Sequence, residues 1–352
     1  MTLILLALSA AASPGVPVVL AEGVDRAAAL DSTTVLYSRG PDLFTVDVGS
    51  GLTTPWVPSW SPAEDGWTED GGFFDILVSP DGSRVFTAVS VRLPETFEVP
   101  EGYGGMRSAF LGMIAGSDGS GAMPVLVGVA AGGGPSYAFT SDSRLLAGSP
   151  VFDCAPTPEG YSGLLRRGFG GEPGSHPNAV DAATGEPVVL ETAGIGDGFW
   201  KCPYSDCFRI ENNWYEEHEF GSFVESGVTG VWRTPEGGAS DFRGWVLPDA
   251  VLLGLDGAPL LLFVDGSTCS PGLPFLPDPR CWLPDGSYLF TEDGRPGVLH
   301  HATIDWDSGE VGWISAFEEP PGLGGGHLSP MPGSDGVFFV SGDSELCYLP
   351  LR

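Results

Sequence analysis

The sequence predicts an all-β fold made of repeated hairpins, and three observations carry that prediction. Gly (53) and Pro (32) are abundant in the 352 residues. That is more than helices tolerate, since Gly costs about 1 and Pro about 3 kcal/mol in a helix interior. An apolar stretch, a short Ser/Pro/Asp/Gly turn and a second apolar stretch recur seven times along the chain. Hydrophobic residues make up 42%, with 20 Phe, 10 Trp and 8 Tyr, enough to fill a large core rather than leave the chain disordered.

The chain opens on a short apolar run, Leu3 to Ala12, ending in Ala10-Ala11-Ala12 before Ser13-Pro14-Gly15. A short apolar stretch closed by small residues reads as a cleaved export signal, residues 1–12. It is about half the length a membrane-spanning helix needs, and no later stretch approaches that length. The competing reading is a buried N-terminal strand or helix. No Lys or Arg precedes the run, and no cysteine stands directly after it to accept a lipid, so a lipid-anchored protein is disfavoured. The mature chain, 16–352, is expected to be one domain without a transmembrane segment, secreted or periplasmic.

The anchors come in order. Ala29-Leu30-Asp31 runs to Leu36-Tyr37, Val78-Ser79-Pro80-Asp81-Gly82 to Val85-Phe86, and Thr140-Ser141-Asp142 to Leu145-Leu146. Cys202 to Cys207, Leu247-Pro248-Asp249, Leu283-Pro284-Asp285-Gly286 and Leu328-Ser329-Pro330 complete the series. In such turns Pro fixes one backbone angle, Asp caps with its side chain and Gly accepts a positive φ. A second turn signal follows most anchors, as in Val46-Asp47-Val48-Gly49-Ser50-Gly51 and Val180-Asp181-Ala182-Ala183-Thr184-Gly185. Two hairpins per unit make a four-stranded meander, and seven in series predict a seven-bladed β-propeller, with six or eight blades left open. The last unit has room for about three strands. Val16 to Leu20 is therefore expected to complete it and close the ring, removing an open sheet edge.

The segment Val78-Ser79-Pro80-Asp81-Gly82-Ser83-Arg84-Val85-Phe86 resembles the TolB-type, WD40-like repeat of bacterial exported propellers, and residues 43–51 are similar to the third and fourth strands of the same repeat. The fourth unit departs most, with paired cysteines in its turn. The resemblance implies a propeller with a periplasmic protein-binding role and no shared catalytic site, so no functional residue carries over.

The formal charge is -31, from 46 acidic residues against only 15 Lys and Arg. Phosphate neutralisation needs clustered bases, so nucleic-acid binding is excluded as a function class. Six cysteines in an exported chain point to disulfides. Cys269 and Cys281 flank a Pro-rich segment and form the preferred pair. Cys202 or Cys207 pairs with Cys154 or with each other, and Cys347 is left over. With no CxxC or HxxxH, a structural zinc site is disfavoured.

No GxSxG, HExxH, P-loop or complete GxGxxG occurs. The chain is expected to be non-enzymatic and to present rim loops to a protein or cell-envelope partner, without a required cofactor. The alternative is a carbohydrate-binding or carbohydrate-active propeller using the loop 56–75. There Trp56, Trp60 and Trp67 offer stacking platforms, with Asp65 and Asp70 beside them. Glu64, Asp65, Glu69 and Asp70 supply the oxygens that calcium takes. The bland reading of the same loop is a solvated insertion whose tryptophans pack on the rim. Two further clusters are read as structural: Trp214 to Phe220 with His218 as a charged loop tip, and His300 and His301 as histidines satisfied between blades, on opposite faces of one strand.

Overall fold

In the computed structural model the first, second and sixth anchor turns are closed as the residue types demand, while the third, fourth and fifth, at Thr140 to Asp142, Cys202 to Cys207 and Leu247 to Asp249, lie outside the described residues. The residues described are 13–61, 68–92, 108–128, 137–139, 143–148, 153–154, 179–188, 193–195, 199–201, 208–210, 214–215, 218–225, 228–235, 244–246, 250–255, 258–263, 268–269, 277–283, 285–292, 295–305, 308, 310–323, 328–333 and 335–352. At the first anchor the Asp31 carboxylate accepts the amides of Thr33 (2.7 Å) and Thr34 (2.9 Å). At the second, Asp81 accepts the Ser83 amide at 3.0 Å and the Ser79 hydroxyl at 2.6 Å. At the sixth, Asp285 accepts the Ser287 amide at 3.0 Å. Hairpin tips repeat the device: Asp47 takes the Ser50 amide, Asp118 that of Ser120, Asp181 that of Ala183, and Asp305 that of Ser308. These bonds hold Asp81 at a pKa of about 2, with the Ser79 hydroxyl the largest cause. Gly82 sits at φ +70°, where a side chain would be strained.

Between the turns the described residues form strands and no helix. The chain begins on β1 (Val18–Glu22) and continues into a four-stranded antiparallel sheet of β2 (Arg26–Ala29), β3 (Thr34–Arg39), β4 (Asp42–Asp47) and β5 (Thr53–Pro55). The second sheet holds β6 (Thr68–Val78), β7 (Arg84–Arg92), β8 (Ser108–Gly116) and β9 (Met123–Gly128). β10 (Tyr137–Phe139) and β11 (Leu145–Gly148) start a third, and β12 (Asp153–Cys154) returns to pair with β9. β13 (Ala179–Asp181) and β14 (Pro187–Val188) finish it. Two three-stranded sheets come next: β15 (Ala193–Ile195), β16 (Phe199–Lys201) and β17 (Phe208–Ile210), then β18 (Trp214–Tyr215), β19 (His218–Glu225) and β20 (Val228–Pro235).

The sixth sheet is β21 (Gly244–Val246), β22 (Ala250–Leu255), β23 (Ala258–Phe263) and β24 (Thr268–Cys269). The seventh is β25 (Pro277–Trp282), β26 (Tyr288–Glu292), β27 (Arg295–Asp305) and β28 (Glu310–Glu318). β29 (Ser329–Pro330), β30 (Gly336–Val340) and β31 (Glu345–Pro350) make the last sheet with β1, which pairs antiparallel to β31 through Val18 with Tyr348 and Val19 with Cys347. The N-terminal strand thus completes the last sheet. Among the described residues no helix is long and apolar enough to cross a membrane.

The first, second and last sheets are covered on both faces, which blurs the polar/apolar alternation a one-sided sheet would show. In β3, Val35, Leu36 and Tyr37 are all buried; Leu36 packs with Ile76 and Val85 of the second sheet, while Val35 and Tyr37 pack with Phe338 and Leu346 of the last. In β7, Val85 joins the first of those cores, while Phe86 meets Phe139 and Leu146 of the third sheet. In β30, Phe338 faces the first sheet and its neighbours Val337 and Phe339 face Leu289 and Leu299 of the seventh. The seventh, last, first, second and third sheets are thus packed in series. Each fully buried Phe or Leu in these cores contributes about 1.5–3 kcal/mol.

Cys281 and Cys347 lie in the core between the seventh and last sheets, and both are thiols. Burial raises both thiol pKa values, that of Cys347 to about 11 with Glu345 adding to it. With Cys281 a thiol, the Cys269–Cys281 bridge expected from the sequence is absent here. Cys154 and Cys269 are described by backbone only, and Cys202 and Cys207 lie outside the described residues.

Candidate functional site

The segment after β5 folds back over the second sheet and leaves a cleft. The Trp56 amide donates to the Leu43 carbonyl at 2.9 Å, extending the β4–β5 ladder by one residue. Its indole Nε1 donates to the Ser117 carbonyl at 2.8 Å. The tip of the β8–β9 hairpin then braces the chain from Val57 to Ser59. The Ser59 amide donates to the Gly119 carbonyl, and the Ala122 amide to the Ser59 hydroxyl, both at 2.9 Å. Gly119 has φ +82°, and a Cβ there would stand 2.6 Å from the Val57 carbonyl oxygen. Only glycine admits that approach.

The cleft has a volume of about 420 Å³. Its floor is Leu43, Trp56, Thr87, Val89, Leu111 and Met113, all buried. Trp60, half-buried, and Phe73 form its walls, and exposed Pro41, Asp42, Pro55 and Val57 its rim. Arg39 is opposite Asp42 in the β3–β4 register, but its guanidinium lies 5.9 Å from the Tyr37 ring centroid and 5.6 Å from that of Phe44. The lining is apolar and aromatic, and Asp42, Ser61 and Thr87 are its polar side chains.

Of the loop residues singled out in the sequence, Trp56 and Trp60 come together here. Glu64, Asp65 and Trp67 lie outside the described residues. The backbone of Glu69 and Asp70 runs in β6, where Glu69 pairs with Val91 before a bulge. Among the described residues no group of three or more His, Cys, Asp or Glu converges as a metal site. Asp75, further along β6, is not part of the cleft. Burial raises its carboxyl to about 6, against the opposing Ile76 amide and Arg26 charge.

A second polar constellation joins the seventh sheet to the sixth anchor. Ser287 Oγ lies 2.5 Å from Asp285 Oδ1 and 2.8 Å from His301 Nε2, and Ser315 Oγ lies 3.4 Å from His301 Nδ1. The one Ser287 hydrogen goes to the carboxylate, so His301 donates through Nε2–H, and Nδ1 accepts from Ser315. Burial lowers the His301 pKa despite the Asp285 charge, and Arg352 lowers it further. Ser287 and His301 are each 1% exposed, and the carboxylate touches the serine rather than the imidazole. The order is therefore wrong for an acid-oriented base beside an accessible nucleophile. The network ties the anchor turn to β27 and β28.

His300, on the other face as alternation requires, packs 5.5 Å from the Phe290 ring and 5.0 Å from that of Trp313. Tyr215 and His218 are paired across the β18–β19 hairpin, while Glu216 and Glu217 lie outside the described residues.

No protein-family description and no characterised protein sequence matches the chain. Solved structures do. One described as the WD40 repeats of RRP9 aligns over 97% of this chain and 99% of its own, at 11% identity and TM-score 0.50. One described as the Dos1 propeller aligns over 96% and 95%, at 12% identity and TM-score 0.41. An uncharacterised Listeria monocytogenes EGD-e protein, lmo1340, aligns over 90% and 89%, at 10% identity and TM-score 0.43. The first likeness shows the fold and only the fold: the chain is a WD40-like β-propeller.

Proposed function

We propose that this propeller is an exported, non-enzymatic binding protein of the TolB type, and that it holds a protein partner at the Trp56–Trp60 cleft. Counting β15–β17 and β18–β20 as one sector gives the seven blades of the sequence repeat; counting them separately gives eight. The pairing of β1 with β31, and the packing of the last sheet on the first, support a ring closed by the N-terminal strand.

The observation that carries the binding reading is the lining of the cleft. Apolar and aromatic surface with few polar groups suits a bulky apolar side chain, and the rim prolines offer no N–H donor. A sugar would bring hydroxyls that find few partners there, and leaving them unbonded is costly. The glycan reading, with calcium held by the loop acids, rests on the same two tryptophans together with Trp67 as stacking platforms.

One experiment separates the two. The secreted chain and its Trp60→Ala variant are passed over solubilised cell-envelope protein, and tryptophan fluorescence is followed with a polysaccharide panel with and without calcium. Retention of a protein by the parent alone supports the proposal. A saccharide response abolished by Trp60→Ala overturns it in favour of the glycan. N-terminal sequencing of the secreted protein tests export, with a start at Ser13 expected.

A further inference from the structure

We infer that the occupant of the cleft is an extended segment of a partner chain, carrying a bulky apolar anchor flanked by lysine or arginine. This rests on the protein-binding reading of the same cleft and names the chemistry of the partner.

The size of the cleft sets the first part. About 420 Å³ lies low in the range of ligand pockets, about 300–1,000 Å³. It admits one or two large apolar side chains and no folded element. A free small ligand would be oriented by converging polar groups. Here the buried floor presents Thr87 as its polar side chain, and the Trp56 indole N–H is already spent on Ser117. A chain held along the rim on both sides of its anchor needs no such groups.

Charge sets the second part. Asp42 is exposed on the rim and forms no ion pair among the described residues, because Arg39 turns onto the Tyr37 and Phe44 rings. Around it the protein carries a net -31. That field attracts cations over distances of about a Debye length and penalises an acidic segment, so it acts on partner choice and on association rate more than on tightness.

The test uses the full mature protein and two peptides that differ only in charge, acetyl-Lys-Phe-Pro-Phe-Lys-amide and acetyl-Glu-Phe-Pro-Phe-Glu-amide. Both are measured by calorimetry and tryptophan fluorescence at low and high salt. The cationic peptide is expected to bind about tenfold tighter at low salt, with the gap closing as salt screens it. Exposed Asp42→Lys is expected to shrink the gap at least threefold without unfolding the protein, and Trp60→Ala to weaken both peptides. Equal binding of the two peptides, or a gap unchanged by Asp42→Lys, overturns the charge inference and leaves the binding reading standing. No binding of either peptide at millimolar concentration overturns both.

Discussion

Asp75 offers a stability experiment with a defined sign. Its carboxyl is pushed up to about 6 in the fold, against 3.8 for an aspartate in an unfolded chain. Between those values the native state binds more protons than the unfolded chain, so the protein loses stability as pH rises through that window. A shift of roughly two units is worth at most about 3 kcal/mol. The side chain keeps partial exposure, and solvent screening brings the expected figure to about 1–2 kcal/mol. Asp75→Asn removes the titration and keeps an acceptor for the Ile76 amide. The variant is expected to match the parent near pH 4 and to exceed it by about 1–2 kcal/mol at pH 8. The assay is urea unfolding followed by tryptophan fluorescence across that range. His301 acts in the opposite sense: its lowered pKa withdraws stability as pH falls below 6.5, but equally in both proteins, so it cancels in the difference. A difference independent of pH, or one growing toward acid, would refute the placement of Asp75 in a desolvating contact.

Ser287→Ala leaves the buried His301 Nε2–H without its acceptor and should cost about 1–3 kcal/mol in the same unfolding assay; a neutral result would dissolve the Asp285–Ser287–His301 network. Gly119→Val should move the 56–61 segment, seen as a shift in tryptophan emission with little change in far-ultraviolet dichroism, because the new side chain meets the Val57 carbonyl. The Cys347 thiol should resist a disulfide reagent at pH 8 in the native protein and react on unfolding, its pKa being near 11; rapid native reaction would contradict its burial. Phe86→Ala should cost about 3–5 kcal/mol, since Phe86 is fully buried between the second and third sheets.

Local chemistry was legible in the sequence. Asp31, Asp81 and Asp285 close their turns through bonds to residues two or three positions away, so residue type alone announces them. The same holds for the tips at Asp47 and Asp181. The opposite orientation of His300 and His301 followed from strand alternation. The features that escaped are non-local. Nothing around Trp56 says that Ser117, 61 positions on, accepts its indole hydrogen, or that Gly119 must be a glycine for Val57 to pass. Asp118 caps its own hairpin tip through the Ser120 amide, as local turn chemistry does, but the task of that tip as a brace is non-local. Likewise Asp285 announces the cap of its own turn, but the contact of Ser287 with His301, 14 positions on, is not announced by either residue. The separate sheets β15–β17 and β18–β20 stand where the sequence departs most from the repeat, around Cys202 to Ile210.

The bond between β1 and β31 also orders events in time. Val19 and Cys347 are partners from opposite ends of the polypeptide. A ribosome adding about 5–20 residues per second makes the first of these strands on the order of half a minute before its mate exists. Throughout that interval the backbone edge of β1 lacks the strand it pairs with, so a chaperone that shelters the nascent amino end should raise the yield of the finished protein more than one acting after release.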